Sequence, residues 1–286
     1  MIKRKPSWLK IQRSGGENYS AVKKIVAENQ LHTICQSGQC PNMGECWGAG
    51  TATFMILGEI CTRSCKFCAT KTGKPLPVDA AEPLKLARSV KLMKLKHCVI
   101  TSVDRDDLSD GGASVWAETI RVVREINPDT KIEVLLPDFQ GRKDDLLTVL
   151  SAFPEVSAHN LETVERLTPQ VRSAAQYQRS LDVVKWISES GIMSKSGIMV
   201  GLGETEQEVI QTMKDLVVAG CRILTIGQYL QPTLGHLPVE EYIHPEVFAR
   251  YKKEGLRMGF EVVESNPLVR SSYHAEESHG KLTNKD

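Results

Sequence analysis

The chain has 286 residues and balances 36 Lys and Arg against 35 Asp and Glu, which gives a formal charge of +1. Hydrophobic residues make up 41% and charged residues 25%, and these values exclude wholesale disorder. The chain lacks the basic excess of a nucleic-acid-binding domain, and no apolar run approaches the ~18 residues of a membrane span, so we expect neither a nucleic acid nor a membrane as partner.

The predicted elements alternate between strands and helices over residues 51–264. Residues 1–50 form an irregular extension with one helical stretch at 19–29, and no secretory signal follows its basic start, so we expect a cytoplasmic protein. The predicted strands are 53–57, 98–101, 132–136, 156–159, 197–202 and 223–226. The predicted helices are 82–95, 113–126, 142–152, 178–190 and 206–219. Residues 265–286 form a polar C-terminal segment that we expect to fray.

The apolar runs favour a parallel sheet. Most of them are apolar at successive positions, as expected for strands covered on both faces. Asn127 and Pro128 stop the second helix, and Gly191 and Gly220 follow the last two helices where a C-terminal cap is expected. Six strands alternating with helices therefore predict an α/β fold, in which ligands bind at the carboxyl ends of the strands.

Cysteine usage is the first unusual feature. The chain has eight cysteines, and six of them fall between residues 35 and 68. In a long chain without a secretory signal, such clustering favours metal or cluster ligation over disulfides. The other two, Cys98 and Cys221, adjoin apolar runs, and we expect them to be small buried residues.

The second cysteine triplet follows directly on the first predicted strand. Cys61, Cys65 and Cys68 form a C-x3-C-x2-C pattern. A structural zinc site normally uses paired C-x2-C units, and only one such pair is present here. Three thiolates on one loop instead suit a 4Fe–4S cluster whose fourth iron stays open.

This spacing resembles the radical S-adenosylmethionine (SAM) superfamily. In that superfamily the open iron binds SAM, and reductive cleavage of SAM releases a 5′-deoxyadenosyl radical. The resemblance also implies that Phe67, the aromatic residue before the third cysteine, lies near the adenine of SAM, although simple core packing explains a phenylalanine there as well.

The first triplet, Cys35, Cys40 and Cys46, lies in a loop rich in Gly, Asn and Pro, whose backbone can wrap an ion or a cluster. No fourth cysteine stands nearby. A fourth ligand must therefore be distant or must not be a cysteine.

Taken together, these motifs resemble the lipoyl synthase family over nearly the whole chain. The matching stretches are residues 5–10, 40–46, 50–58, 61–68, 100–108, 159–162, 195–204, 227–232 and 270–275. The resemblance implies a (β/α)6 partial TIM barrel with an N-terminal cluster-binding extension and a C-terminal closing segment. It also implies insertion of sulfur at C6 and C8 of an octanoyl chain carried on a lysine of a lipoyl carrier domain.

The resemblance implies two 4Fe–4S clusters and SAM as co-substrate. Cys61, Cys65 and Cys68 would bind the cluster that cleaves SAM. Cys35, Cys40 and Cys46 would hold an auxiliary cluster that donates the sulfur, with Ser272 as its fourth ligand. Either Ser271 or Ser272 could ligate in principle, and the family pattern favours Ser272, which directly precedes Tyr273. An alkoxide oxygen is a hard ligand for cluster iron, so one weak ligand would let this cluster open.

The strand-end loops provide candidate contacts for SAM. These are Asp104, Arg105 and Asp107 after the second predicted strand, Asn160 and Glu162 after the fourth, and Gly201 and Gly203 after the fifth. A surface charge run, an Asx turn and a plain βα turn are the respective alternatives. The family commonly has Asn-His-Asn before Leu-Glu, and Ala158 replaces the first of these residues here, so no contact from that position is carried over.

The family pattern also implies partners. These are octanoylated 2-oxoacid dehydrogenase E2 subunits and the glycine cleavage H protein, an electron donor such as flavodoxin or ferredoxin, and an iron–sulfur carrier that restores the cluster. Gln228 and Tyr229 would lie near the acyl tunnel. An N-terminal arm would dock the acidic carrier or remain solvated and frayed. It comprises Lys3, Arg4, Lys5, Trp8, Lys10 and Arg13.

Two alternative functions stay open from the sequence. One is a different sulfur-inserting radical SAM enzyme, similar to biotin synthase or to a methylthiotransferase. The other is a non-enzymatic iron–sulfur electron carrier. His236 and His244 lie near prolines in a loop, and we expect both to be structural.

Overall fold

The computed structural model describes residues 4–10, 16–172, 174–273 and 275, in two compact units. The first, here the N-terminal unit, comprises Ile11–Arg63 and Ala69–Ser157. The second, the C-terminal unit, comprises Met1–Lys10, Ser64–Cys68 and Ala158–Asp286. Within the described residues, no helix is both long and apolar enough to cross a membrane.

The N-terminal unit begins with short elements and continues with alternating strands and helices. In chain order these are α1 (Glu17–Glu28), β1 (His32–Thr33), α2 (Ile34–Ser37), α3 (Met43–Gly48), β2 (Thr53–Ile56), β3 (Ile60–Cys61), β4 (Lys71–Thr72), α4 (Glu82–Met93), β5 (His97–Ser102), α5 (Ala113–Ile126), β6 (Lys131–Leu135), a 3-10 turn (Phe139–Gly141), α6 (Lys143–Leu150) and the start of β7 (Val156–Ala158). Strand β5 pairs in parallel with β2 and β6, and β1 adds to β2 in the antiparallel sense.

The C-terminal unit repeats the same alternation. Its elements are a 3-10 turn (Glu165–Leu167), α7 (Thr168–Val171), α8 (Tyr177–Glu189), β8 (Met193–Val200), α9 (Glu206–Val218), β9 (Ile223–Gln228), α10 (Pro245–Met258) and β10 (Val262–Ser265). Strand β9 pairs in parallel with both β8 and β10. The predicted α/β class with parallel strands is therefore confirmed.

The burial of the strands explains their composition. All four residues of β2 and all six residues of β9 are buried, as the continuous apolar runs predicted. On α9, Val209, Met213 and Leu216 recur at helical spacing and pack into the core of the C-terminal unit. Full burial of one such side chain stabilises the fold by about 1.5–3 kcal/mol.

The predicted helix ends are also confirmed. Helix α5 ends at Ile126, directly before Asn127 and Pro128. Gly191 and Gly220 follow the caps of α8 and α9 with φ values of +80° each. A side chain at that φ is strained, so glycine is the favoured residue at both positions.

The sequence missed several elements. Strand β8 begins at Met193 instead of residue 197. The start was missed because the next three residues of the strand are polar, although they are buried. Ser194 lies inside because its hydroxyl donates to the carbonyl of Gly220 at 2.6 Å. Helix α10 was not predicted, because its buried side is narrow and its exposed surface is strongly charged. Strand β10, which follows it at the edge of the sheet, was not predicted either.

The prediction that the C-terminal segment frays from residue 265 is wrong for its first residues. The amide of Gln228 donates to the carbonyl of Pro267 at 3.1 Å, and the amide of Asn266 donates to the carbonyl of Ile226, also at 3.1 Å. Val269 is buried. The end of this segment, 276–286, lies outside the described residues, as do Lys3 and Arg13 of the N-terminal arm.

Candidate cluster and cofactor sites

Cys61 ends β3 and enters the cysteine loop. The backbone amides of Arg63 and Asp104 both point at its Sγ, at 3.4 and 3.3 Å. Amide hydrogen bonds to a thiolate sulfur stabilise its negative charge and tune the potential of a cluster that it ligates. These two amides would therefore favour the thiolate form of Cys61.

Arg63, two residues further on, is held by three carboxylates. Its guanidinium forms a bidentate pair with Asp106 at 2.7 and 2.8 Å, binds Asp138 at 2.7 Å and lies 3.4 Å from Asp104. Its side chain is only 4% exposed. Burial alone would lower the pKa of Arg63, but these carboxylates raise it well above its usual value. The loop is thus fixed by a permanently charged residue.

The rest of the loop belongs to the C-terminal unit. The amide of Cys68 donates to the carbonyl of Cys65 at 3.1 Å, which closes a tight turn. The Nε2 atom of His236 lies 2.9 Å from the carbonyl oxygen of Cys68, so this histidine supports the loop from outside. Phe67 is half-buried and packs against the apolar core of this unit.

The first triplet occupies the segment around α2 and α3. Thr33 caps the N-terminus of α2, and Cys35 is a buried residue of this helix. The amide of Cys40 donates to the carbonyl of Cys35 at 3.0 Å, which turns the chain back on itself. Cys46 then lies on α3.

Electrostatics show that the three thiols of this triplet lie close together. Burial and, to a smaller extent, the charges of Cys35, Cys40 and Glu45 together raise the pKa of the Cys46 thiol to about 12. Burial also raises the pKa of Cys35, with Cys40 adding to the effect. Such crowded thiolates are stable only against a positively charged partner.

Both triplets offer thiolate donors, which suit iron–sulfur clusters. Among the residues that the structure describes, no three His, Cys, Asp or Glu side chains converge at the spacing of a single metal ion. In a 4Fe–4S cluster each thiolate binds a different iron, so the ligands stand further apart. The donor set, which is thiolate in both triplets, is the soft set that cluster iron selects.

The charged residues after β5 are paired with each other. Arg105 is buried and forms a bidentate ion pair with Asp107 at 2.8 and 2.9 Å. Its Nη1 also donates to the carbonyl of Leu57 at 3.2 Å. Hydrogen bonding to Arg105 lowers the pKa of Asp107. The pair therefore joins the ends of β2 and β5 rather than forming a solvated charge run.

Asn160, which is buried, and Glu162, which is half-buried, follow β7 and form a polar cluster. The amide Nδ2 of Asn160 donates to Glu162 Oε1 at 3.1 Å, and the Oγ of Ser271 donates to Asn160 Oδ1 at 3.2 Å. Burial raises the pKa of Glu162, while the charges of Arg172 and Arg270 partly oppose it. The structure thus brings the predicted pair together and adds a residue of the C-terminal segment.

Gly201 and Gly203 lie in the turn after β8, with φ values of +99° and +101°. The carboxylate of Glu204 accepts the amides of Gly201 and Leu202 at 2.5 and 2.9 Å. A side chain at Gly201 would collide with the Gln228 amide. These glycines therefore permit a close backbone approach, as well as a βα turn.

Gln228 and Tyr229 are fully engaged in packing. The Oε1 of Gln228 accepts the amide of Ile243 at 2.8 Å, and its Nε2 donates to the carbonyl of Glu241 at 3.0 Å. The hydroxyl of Tyr229 donates to the carbonyl of Leu237 at 2.7 Å. Both residues fix the loop that follows β9.

The two ends of the chain are ordered where they are described. Ser272 is half-buried in a turn in which the amide of Tyr273 donates to the carbonyl of Arg270 at 2.9 Å. In the N-terminal arm, Leu9 is buried, and the ring of Trp8 stands edge-on to the His244 ring at 5.1 Å. This part of the arm is packed instead of frayed.

Sequence reasoning missed the contacts by which Arg63, Arg172 and Ser271 hold these sites in place, and it considered Ser271 only as an alternative cluster ligand. The position of Arg63 between two cysteines was the only available signal. Arg172 donates to the carbonyls of Asn160 and Leu161 at 3.1 and 3.3 Å, twelve and eleven positions back in the chain. Contacts of that kind have no signature in a sequence pattern.

Comparison with known proteins gives a consistent family. The model of the Radical SAM superfamily matches residues 55–216. The lipoyl synthase of Bacteroides fragilis (strain YCH46) is 64% identical over 99% of this chain and 98% of its own length. The mitochondrial lipoyl synthase of Nematostella vectensis is 58% identical over 95% of this chain and 94% of its own.

Solved structures share the fold at low sequence identity. SuiB of Streptococcus suis, crystallised with S-adenosylmethionine, has a TM-score of 0.60 and 11% identity over 75% of this chain, which spans 50% of SuiB. The methylornithine synthase PylB has a TM-score of 0.56 and 12% identity, over 87% of this chain and 79% of its own.

Proposed function

Because the chain belongs to the lipoyl synthase family of the radical SAM superfamily, we propose that it inserts two sulfur atoms at C6 and C8 of a protein-bound octanoyl-lysine. The product is a lipoyl-lysine, and the enzyme is a sulfurtransferase. The observation that carries this proposal is the 64% identity to a lipoyl synthase over 99% of the chain. The presence of both cysteine triplets supports it.

Cys61, Cys65 and Cys68 are the proposed ligands of the cluster that binds SAM. When bound, this cluster and SAM supply an electron and the radical that abstracts hydrogen, and the auxiliary cluster supplies sulfur. The amides of Arg63 and Asp104 stabilise the Cys61 thiolate. The ion pairs of Arg63 with Asp106 and Asp138 keep this part of the loop in position.

Cys35, Cys40 and Cys46, with Ser272, are the proposed ligands of the auxiliary cluster. The proposal rests on the family pattern and on the crowding of the three thiols. A hydroxyl oxygen binds cluster iron more weakly than a thiolate does. Ser272 would thus leave one iron easier to release than the other three.

SAM itself needs groups that bind its amine, its carboxylate, its ribose and its adenine. We assign Glu162 and Asn160 to the amine and the ribose hydroxyls, because a half-buried carboxylate next to a hydrogen-bonded amide suits both. Asp104 and Arg105 lie after β5 as further candidates, and Phe67 with the backbone at Gly201 and Gly203 is assigned to the adenine.

Octanoylated lipoyl carrier proteins are the substrates in this reaction. Specific partners belong to the proposal: E2 subunits of 2-oxoacid dehydrogenases, the glycine cleavage H protein, flavodoxin or ferredoxin as reductant, and an iron–sulfur carrier. Residues 1–50, 51–264 and 265–286 would act as the auxiliary-cluster extension, the SAM-cleaving core and the closing segment. Such an enzyme would work in the cytoplasm.

The test is anaerobic reconstitution with iron and sulfide, followed by mass spectrometry of an octanoyl-lysine peptide incubated with SAM and dithionite. The expected product gains two sulfur atoms and loses two hydrogens, or is the corresponding dithiol. A product that gains one sulfur or a methylthio group would indicate a different sulfur-inserting enzyme. An iron–sulfur protein that releases no 5′-deoxyadenosine would be an electron carrier.

A further inference from the structure

The C-terminal segment reaches the polar cluster after β7 through Ser271, the residue next to the proposed cluster ligand Ser272. The Oγ of Ser271 donates to Asn160 Oδ1 at 3.2 Å. The Nδ2 of the same amide donates to Glu162 Oε1 at 3.1 Å. Hydroxyl, amide and carboxylate therefore form one directional chain of hydrogen bonds.

This chain defines the orientation of the Asn160 amide. The Glu162 carboxylate only accepts hydrogen bonds, so it draws the Nδ2 group toward itself, and the Ser271 hydroxyl then donates to the Oδ1 atom on the other side. Asn160 is 9% exposed, so water cannot readily replace a lost partner. Without the Ser271 hydroxyl, Oδ1 loses this hydrogen bond, and the amide is held in place less firmly against Glu162.

Two further features hold Ser271 at this place. Gly227, on β9, has no side chain to push away the carbonyl of Val269, which packs directly against it. Arg270 lies near enough to Glu162 for its charge to favour the ionised carboxylate. Val269 thus packs against β9, and Ser271 is hydrogen-bonded to Asn160. Between them, the charge of Arg270 acts on Glu162.

We propose that Ser271 is a positioning residue for SAM, which acts by fixing the Asn160 amide and, through it, the Glu162 carboxylate. The inference rests on the proposed function only in taking SAM as the ligand of Asn160 and Glu162. It assigns the two serines of the C-terminal motif to different tasks. Ser272 serves the auxiliary cluster, and Ser271 serves the SAM site.

The test is the equilibrium dissociation constant for SAM, measured on anaerobically reconstituted protein by the change that SAM causes in the electron paramagnetic resonance signal of the reduced cluster. Ser271→Ala should weaken SAM binding about 3- to 10-fold, the range expected for one lost hydrogen bond. Ser271→Thr keeps the hydroxyl and should restore the affinity. Ser151→Ala removes an exposed hydroxyl that donates only to a backbone carbonyl, and it serves as the matched control.

A double-variant cycle separates positioning from a general structural role. In an Asn160→Ala background, Ser271→Ala should have no further effect on SAM affinity, because the group through which it acts is absent. Additive losses, or a Ser271→Ala protein that binds SAM as tightly as the parent, would overturn the inference. A parent protein with intact iron content that fails to bind SAM would instead overturn the proposed function.

Discussion

Replacing Arg63 by Ala removes the cation that three carboxylates share. Asp138 is fully buried, and the side chains of Asp104 and Asp106 are 24% and 27% exposed. Loss of one partner of a buried ion pair costs about 3–5 kcal/mol, because the remaining charge is buried without compensation. Solvent screens the share of the two partly exposed carboxylates, so we expect the free energy of unfolding to fall by about 3 kcal/mol.

The assay is urea unfolding of the iron-free protein under reducing conditions. Arg121→Ala is the matched control, because Arg121 forms an exposed ion pair with Glu118 at 2.8 Å that should contribute at most about 1 kcal/mol. Adding Asp138→Asn to Arg63→Ala should recover part of the loss, since the buried charge is then gone. If Arg63→Ala costs no more than Arg121→Ala, the network does not stabilise the loop and the reasoning is refuted.

The pH dependence of the same variant checks the electrostatic origin of the effect. Burial alone would raise the pKa of Asp106, but its hydrogen bonds and the charge of Arg63 lower it below the usual value. A carboxylate with a lowered pKa contributes stability above its unfolded pKa of about 4, and that contribution is lost as the pH falls through the folded pKa. The difference in stability between the parent and Arg63→Ala should therefore be largest near neutral pH and should shrink below pH ~4. A difference that stays constant over this range would contradict an ionic origin.

Three other predictions concern the clusters and the C-terminal segment. Cys65→Ala should abolish 5′-deoxyadenosine formation, whereas Cys40→Ala should keep at least part of it and lose sulfur insertion; a dithiolated product from Cys40→Ala would contradict the assigned sulfur source. Ser272→Cys should retain its iron, since the new ligand is softer, yet lose most product formation, and an unchanged yield would show that oxygen ligation is not what makes the cluster expendable. Gly227→Ala should destabilise the fold by about 1–3 kcal/mol, because its new methyl group collides with the Val269 carbonyl. The iron content should fall as well. An unchanged unfolding midpoint would exclude that contact.

The strand pattern and the cysteine spacing were readable because each is local. A buried parallel strand needs successive apolar residues, and the run at β9 supplied them. Strand β8 was misjudged at its start because Ser194 and Lys195 are buried polar residues, whose interior positions depend on partners elsewhere in the chain. The pattern of apolar residues in a sequence indicates only where apolar side chains are buried. A strand segment made of buried polar residues therefore cannot be predicted from it.

The residues that hold the site in place were not readable for the same physical reason. Arg63 lies 43 positions from Asp106 and 75 from Asp138. Ser271 lies 111 positions from Asn160. An arginine between two cysteines and a serine in a polar tail carry no mark of these partners until the chain has folded.

Thr62 and Asp104 show why a cluster loop requires such distant partners. Beyond β3 the backbone of the loop is held by hydrogen bonds to Asp104, which lies two residues after the end of β5. The amide and the hydroxyl of Thr62 both donate to the carbonyl of Asp104 at 3.0 Å, and the amide of Asp104 donates back to Cys61 Sγ at 3.3 Å. The main chain of Asp104 therefore shapes the loop around Cys61, while its carboxylate lies 3.4 Å from the Arg63 guanidinium. A substitution at Asp104 that keeps the backbone in place should accordingly preserve the main-chain hydrogen bonds of the loop and remove only the ionic contact with Arg63.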